Sequence, residues 1–172
     1  MNMHFKSKAD TLAELNGILK YACILPQFCF TSKKWEDACN NVDVLWSNKP
    51  DWAAGSLIVR SSGQAEDSSI ESLAGHFATV PNVTTKSELK SAINTVHQSF
   101  LDDNPKNQIF IQPMLSNVSV SGVAFTRDPS NGAHYSIVNY DDKSSSTDSV
   151  TAGVSNDLKI CLLYTSPSPR DS

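Results

Sequence analysis

The stretch Leu57-Ile-Val-Arg-Ser-Ser-Gly-Gln-Ala-Glu-Asp-Ser-Ser-Ile-Glu-Ser-Leu-Ala-Gly75 decides how the chain is read. Leu57–Val59 is apolar and partly β-branched, the pattern of a buried strand, and it stops at Arg60. Small hydroxyl residues follow, where backbone N–H groups can approach an anion closely because no large side chain intervenes. Arg60 adds a fixed charge with several donors, a geometry suited to phosphate oxygens. With no ligand, the same residues read as a polar surface loop carrying one solvated arginine. Glu66 and Asp67 likewise read either as ligand-site acids or as a solvated, turn-capping pair.

Upstream, Ala9–Tyr21 carries Leu12, Leu15, Ile18 and Leu19 at helical spacing, which predicts an amphipathic helix capped by Ser7 or Asp10. Lys8 precedes it, with its ammonium in reach of a ligand at the helix N-terminus; the alternative is a solvated lysine. Ala22–Thr31 reads as a buried or edge strand interrupted by Pro26. Thr31 or Ser32 then caps a second helix reaching about Trp46. Its Trp35, Cys39, Val42 and Trp46 form one apolar stripe directed at the core. Ser47–Gly55 is a connecting loop.

Downstream, His76–Val83 reads as a strand ending near Pro81-Asn82. Thr85-Lys-Ser-Glu88 is a capping-box pattern, and the helix it opens aligns Leu89, Ile93, Val96 and Phe100. Asp102–Asn107 is the turn that stops that helix. From Gln108 the period becomes that of strands: Ile109–Leu115, Val118–Thr126 and His134–Tyr140. Arg127-Asp-Pro-Ser-Asn-Gly132 joins the last two; its Asn-Gly favours a tight hairpin turn, and Asp128 reads as a cap on the Pro129 turn. Asp141–Asp148 is a polar loop and Val150–Val154 starts one more strand. The expectation is an α+β fold in two lobes, residues 1–105 and a β-rich 106–160, with a ligand cleft between them.

The 172 residues carry a net charge of −4 and a pI near 5.5, which argues against a general nucleic-acid binder. No apolar run approaches the roughly 20 residues that span a bilayer, and no apolar segment follows the basic N-terminus as in a signal peptide. A cytoplasmic location is expected. Cys161–Ser172, with its two Ser-Pro steps, resembles a translated sequencing-library adapter and is set apart as a non-native tail. The lobe is then expected to be incomplete at its C-terminus, with further residues past about Ile160. Cys23, Cys29 and Cys39 read as buried small hydrophobes in a reducing compartment, and His76 and His97 as structural.

Three stretches together resemble the nucleotide-binding domain of the pyruvate phosphate dikinase and phosphoenolpyruvate synthase family. Leu57–Gly75 is similar to that family's "VRSSATAED…SFAG", and Ile111-Gln-Pro-Met-Leu115 to its "VQxMV". Ser121-Gly-Val-Ala-Phe-Thr-Arg-Asp-Pro-Ser-Asn-Gly132 is similar to "GVAFTRDPxTG". Phe5-Lys-Ser-Lys-Ala-Asp-Thr-Leu-Ala-Glu-Leu15 is a fainter echo of "GGKxxxLxxL". The resemblance covers about residue 5 to residue 155 in the same order.

The resemblance implies an ATP-grasp-type fold that clamps ATP and Mg²⁺ between two lobes. Lys8 would then contact ATP phosphates, and Arg60, with Ser61 and Ser62, would form the phosphate-binding arginine loop. Gln112, Met114 and Leu115 would be the hinge that packs against and hydrogen-bonds adenine. Arg127 would also face the phosphates, so that Lys8, Arg60 and Arg127 neutralise the spreading charge of phosphoryl transfer. In the family, ATP phosphorylates a histidine on a separate swivelling domain, and the phosphoryl group passes on to an acceptor, often pyruvate. His4, His76, His97 and His134 lack the surroundings of that phosphohistidine, so this chain is not expected to turn over alone.

Lys6-Ser7 replaces the family's glycines before Lys8. Asn139 stands where an acid is usual, and Asp148 replaces a glutamate; as Mg²⁺ ligands, Asp148 would bring a carboxylate and Asn139 only a neutral oxygen. The alternatives are a related antibiotic or glucan phosphotransferase, or a degenerate or regulatory module that keeps ATP without transferring phosphate. Gln112 and Met114 also read simply as strand core.

Overall fold

Antiparallel pairing organises both parts of the chain. The computed structural model describes residues 7–63, 78–143 and 158–164. It divides into two units, Met1–Met114 and Leu115–Ser172. Helices and antiparallel sheets are mixed, in keeping with an α+β class.

In the first unit, helix α1 (Lys8–Leu15) is followed by β1 (Phe28–Thr31), α2 (Ser32–Asp37), α3 (Asp43–Ser47) and a 3₁₀ turn (Asp51–Ala54). Then come β2 (Leu57–Ser62), β3 (Thr79–Val83), α4 (Lys86–Gln98) and β4 (Gln108–Pro113). The sheet order is β1-β4-β2-β3, with every pair antiparallel. β4, placed by the sequence reading at the head of the second lobe, is therefore a central strand of the first sheet.

Residues directly opposite each other in an antiparallel pair share a face. The register Val59↔Ile111 and Phe30↔Ile109 puts Phe30, Leu57, Val59, Ile109 and Ile111 on one face. That face packs with Leu89, Ala92, Ile93 and Val96 of α4 and with Trp35 to form the core. Leu89, Ile93 and Val96 are buried, and each contributes about 1.5–3 kcal/mol by leaving water. Trp35 satisfies its indole N–H by donating to Asn94 Oδ1 at 3.1 Å. The capping box forms: Glu88 N–H donates to Thr85 Oγ1, and Thr85 N–H donates to Glu88 Oε2. Pro81 and Asn82 lie inside β3, where the pairing with β2 shifts register between Leu57 and Val59. Asn82 has φ of 59° there, so the proline sits at a bulge rather than after the strand.

The N-terminal helices are shorter than their periodicity predicts. α1 stops at Leu15 instead of Tyr21, and Gly17 follows with φ of 85°, the left-handed conformation that ends helices. Ile18, Leu19 and Tyr21 are exposed rather than packed. The expected second helix is two short ones, because Cys39 and Asn40 turn left-handed between α2 and α3. Trp35 and Val42 still reach the core, but Cys39 is exposed. Cys23 is exposed as well, so neither is the buried hydrophobe expected, while Cys29 is half-buried. The strand around Pro26 begins only at Phe28.

The second unit is a three-stranded antiparallel sheet, β5 (Ser121–Phe125), β6 (Tyr135–Asp141) and β7 (Lys159–Tyr164), in the order β5-β6-β7. Residues 126–134 connect β5 to β6, a longer loop than the tight Asn-Gly turn expected. Asp128 organises it by donating its N–H to Ala133 O and accepting from the Gly132 N–H. Gly122 has no room for a side chain, since a Cβ there would lie 2.6 Å from Asn139 O. Cys161–Tyr164, set apart from the fold in the sequence reading, pair with Tyr135–Val138 as part of the edge strand β7. The expected strand at Val150–Val154 lies outside the described residues.

Candidate functional site

The second face of the first sheet is polar. The register Arg60↔Phe110, Ser62↔Gln108 and Ile58↔Gln112 puts Arg60, Ser62, Gln108, Phe110 and Gln112 on it together. Ser61, opposite Ile109, falls on the core face and is 3% exposed. The strand alternation thus separates the two serines that the sequence reading grouped behind Arg60. Arg60, Ser61 and Ser62 are also strand residues rather than loop residues. β2 is flanked by β3 and β4 at Arg60, so its backbone there is committed to the sheet, and a ligand would meet side chains.

Arg60 is half-buried, with its guanidinium carbon 5.8 Å from the centre of the Phe110 ring. Its Nε is buried and has no hydrogen-bond partner among the described residues. Gln112 is buried on the same face. Met114 donates its backbone N–H to Ser56 O at 2.8 Å, and Leu115 is exposed. The division between the two units falls between Met114 and Leu115.

The N-terminus of α1 is built onto this face. Ser7 is the cap, accepting from Asp10 N–H at 3.2 Å while donating to Gln108 Oε1. Gln108 Nε2 donates to Asp10 Oδ1 at 3.0 Å, and Ala9 N–H donates to Ser62 Oγ at 2.9 Å. Thr11 N–H donates to Ser7 O. The amides of Ala9, Asp10 and Thr11 are therefore used inside the protein, and Lys8 occupies the first helical position. Arg60, Ser62 and Gln112 share one face of one sheet, and the residues on either side of Lys8, Ser7 and Ala9, bond to Gln108 and Ser62 of that face. Gln108 and Asp10, which join them, were missed in the sequence because their roles depend on partners about a hundred residues away. Cys29 shares this face opposite Phe110, and burial, followed by the nearby charge of Asp10, pushes its thiol up to about 11.

In the second unit Arg127 is exposed on the loop after β5. Beside it, Asp128 accepts from Ser130 Oγ at 2.6 Å, from Tyr135 Oη, and from Ser130 N–H at 2.8 Å. These bonds hold its carboxyl at about 2, below the ordinary carboxylate range. Asp128 is a loop cap, as its place before Pro129 suggests. Asn139 lies on β6 opposite Val123 and Ile160, and its buried Oδ1 has no hydrogen-bond partner among the described residues. Asp141, read as the first residue of a loop, is in β6 on the same face and is 2% exposed. Asp148, Glu66, Asp67 and His76 lie outside the described residues. Among the described residues, no group of three or more His, Cys, Asp or Glu is placed to hold a metal ion, and no helix is long and apolar enough to cross a membrane.

Residues 46–108 match the family described as pyruvate phosphate dikinase, AMP/ATP-binding domain. Over those residues the chain is similar to this family. No curated protein matches the chain. The pyruvate phosphate dikinase match runs from Trp46 in α3 through β2, β3 and α4 to Gln108, the first residue of β4. It contains Arg60, Ser61 and Ser62 and stops short of Gln112; Lys8, Arg127 and Asn139 also lie beyond it.

Proposed function

We propose that the polar face of the first sheet binds the phosphates of ATP, and that the chain is the ATP-binding part of a phosphotransferase resembling pyruvate phosphate dikinase and phosphoenolpyruvate synthase. One observation carries this reading. Arg60, inside the matched segment, has a buried Nε without an acceptor among the described residues. An unmet buried donor is costly, and a phosphate oxygen meets it with a charge-assisted bond. Lys8 adds a second cation beside Ser62, and Gln112 offers the donor and acceptor that adenine requires. Met114 and Leu115 extend that adenine contact, and Arg127 is a further phosphate ligand.

Phosphoryl transfer is chiefly positioning and charge neutralisation, which two arginines and a lysine supply. The proposed route runs from ATP to a histidine on a separate swivelling domain, then to pyruvate or another small acceptor, in the cytoplasm. Mg²⁺ would neutralise phosphate charge. Asn139 Oδ1 is a hard neutral oxygen of the kind that ion accepts, and Asp148 and Asp141 bring carboxylates.

A second reading, a module that binds ATP without transferring phosphate, is favoured by the neutral Asn139 where the family usually has an acid. Calorimetric titration of MgATP into the full-length protein, followed by a radiolabelled phosphohistidine assay, separates the two. Binding with label supports the phosphotransferase; binding without label supports the module. No binding, or binding indifferent to Arg60→Ala, removes the site.

A further inference from the structure

On the first unit, a polar cavity of about 470 Å³ opens beside the end of α4. Its lining includes Ser32, Glu36, His97, Asp102, Asp103 and Asn104, and no lysine or arginine. Glu36 Oε1 lies 3.1 Å from His97 Nε2, and Asp102 Oδ1 accepts from Asn107 Nδ2 at 2.7 Å. Ser32 is 6% exposed, and its Oγ has no hydrogen-bond partner among the described residues. The 13-residue α4 brings its C-terminal, negative end to the same place. A buried hydroxyl without a partner in a cavity rimmed by carboxylates calls for a ligand that donates hydrogen bonds and carries positive charge.

We propose that this cavity binds a small linear polyamine. An ammonium group has three donors and no acceptor, which suits Ser32 Oγ together with a carboxylate. A bare metal ion fits less well, because no three acidic or imidazole groups among the described residues converge on one point. The volume suits several ammonium groups spaced along one chain. Nothing in this site depends on ATP binding.

The test is calorimetric titration of spermidine into the full chain at about 0.15 M salt, where exposed charges are screened beyond roughly 8 Å. The expected result is saturable binding to one site. Glu36→Gln combined with Asp103→Asn, both at exposed positions, should weaken it by about tenfold or more, as lost charge-assisted bonds do. Asp103→Asn alone, which leaves the Glu36–His97 contact intact, should weaken it in the same direction, as should Ser32→Ala. MgATP affinity should be unchanged in all three. Circular dichroism establishes that each variant is folded. Absence of saturable binding overturns the proposal. So does spermidine affinity equal in the folded variants and the parent, or equal displacement by sodium chloride at matched ionic strength.

Discussion

Ala9 donates its backbone N–H to the buried hydroxyl of Ser62, joining the first turn of α1 to the end of β2 across 53 residues of sequence. Ser62 is fully buried. This bond, with the Ser7–Gln108–Asp10 chain next to it, anchors the start of α1, where Lys8 stands, to the strands that carry Arg60 and Gln112. Ser62→Ala leaves an unsatisfied amide at the helix start and should cost about 1–3 kcal/mol in urea unfolding. A change below a few tenths of a kcal/mol would mean that α1 is not anchored here.

The capping box predicts both a mutational and a pH effect. Thr85→Ala should destabilise the fold by about 1 kcal/mol through loss of the cap on α4. Glu88 is held below its ordinary range by hydrogen bonds from the Thr84 and Thr85 backbone amides and the Thr84 hydroxyl, in that order. Its folded value is depressed, so its contribution is complete above the unfolded carboxylate range and is lost as pH falls through the folded value. Chemical denaturation across acidic pH should show that loss in the parent and not in Glu88→Gln.

Asp128 behaves in the same direction with a wider window. Its carboxyl stands at about 2 against an ordinary 3.8, with Ser130 Oγ first among the causes and Tyr135 second. The stability it lends is present above 3.8 and disappears as pH drops towards 2. Asp128→Asn should flatten that part of the pH profile of the second unit, monitored by tyrosine fluorescence.

The cysteines should separate by reactivity. Cys23, Cys39 and Cys161 are exposed, whereas Cys29 is half-buried with its thiol raised to about 11. An aromatic disulfide reagent near neutral pH should modify the exposed thiols promptly and Cys29 far more slowly, since the thiolate is the reactive form. Peptide mapping that finds Cys29 labelled first would contradict its half-buried placement in β1.

Much of this was legible because the signals are local. The capping box at Thr85 and Glu88, the apolar face of α4 and the short apolar run of β4 each depend on a few neighbouring residues. The spacing of Trp35, Cys39, Val42 and Trp46 could not reveal a helix break, because a left-handed turn at Cys39 and Asn40 leaves Trp35 and Val42 in the core all the same. The Asn40-Asn41 pair was the available sign, since asparagine tolerates the left-handed region and Asn41 Oδ1 accepts from Asp43 N–H. The extent of β2 was hidden as well. Arg60-Ser-Ser looks like a turn until β4 pairs with it, and that pairing decides that Ser62 faces the site while Ser61 faces the core.

The most direct measurement is the affinity of the full-length protein for MgATP with Arg60 intact, changed to lysine and changed to alanine. The parent should bind MgATP saturably. Arg60→Ala should weaken it by about tenfold to a hundredfold, equivalent to roughly 1.4–3 kcal/mol for a lost charge-assisted contact, and Arg60→Lys by less. Equal affinity in a folded Arg60→Ala protein, or no binding by the parent, would contradict ATP binding at Arg60.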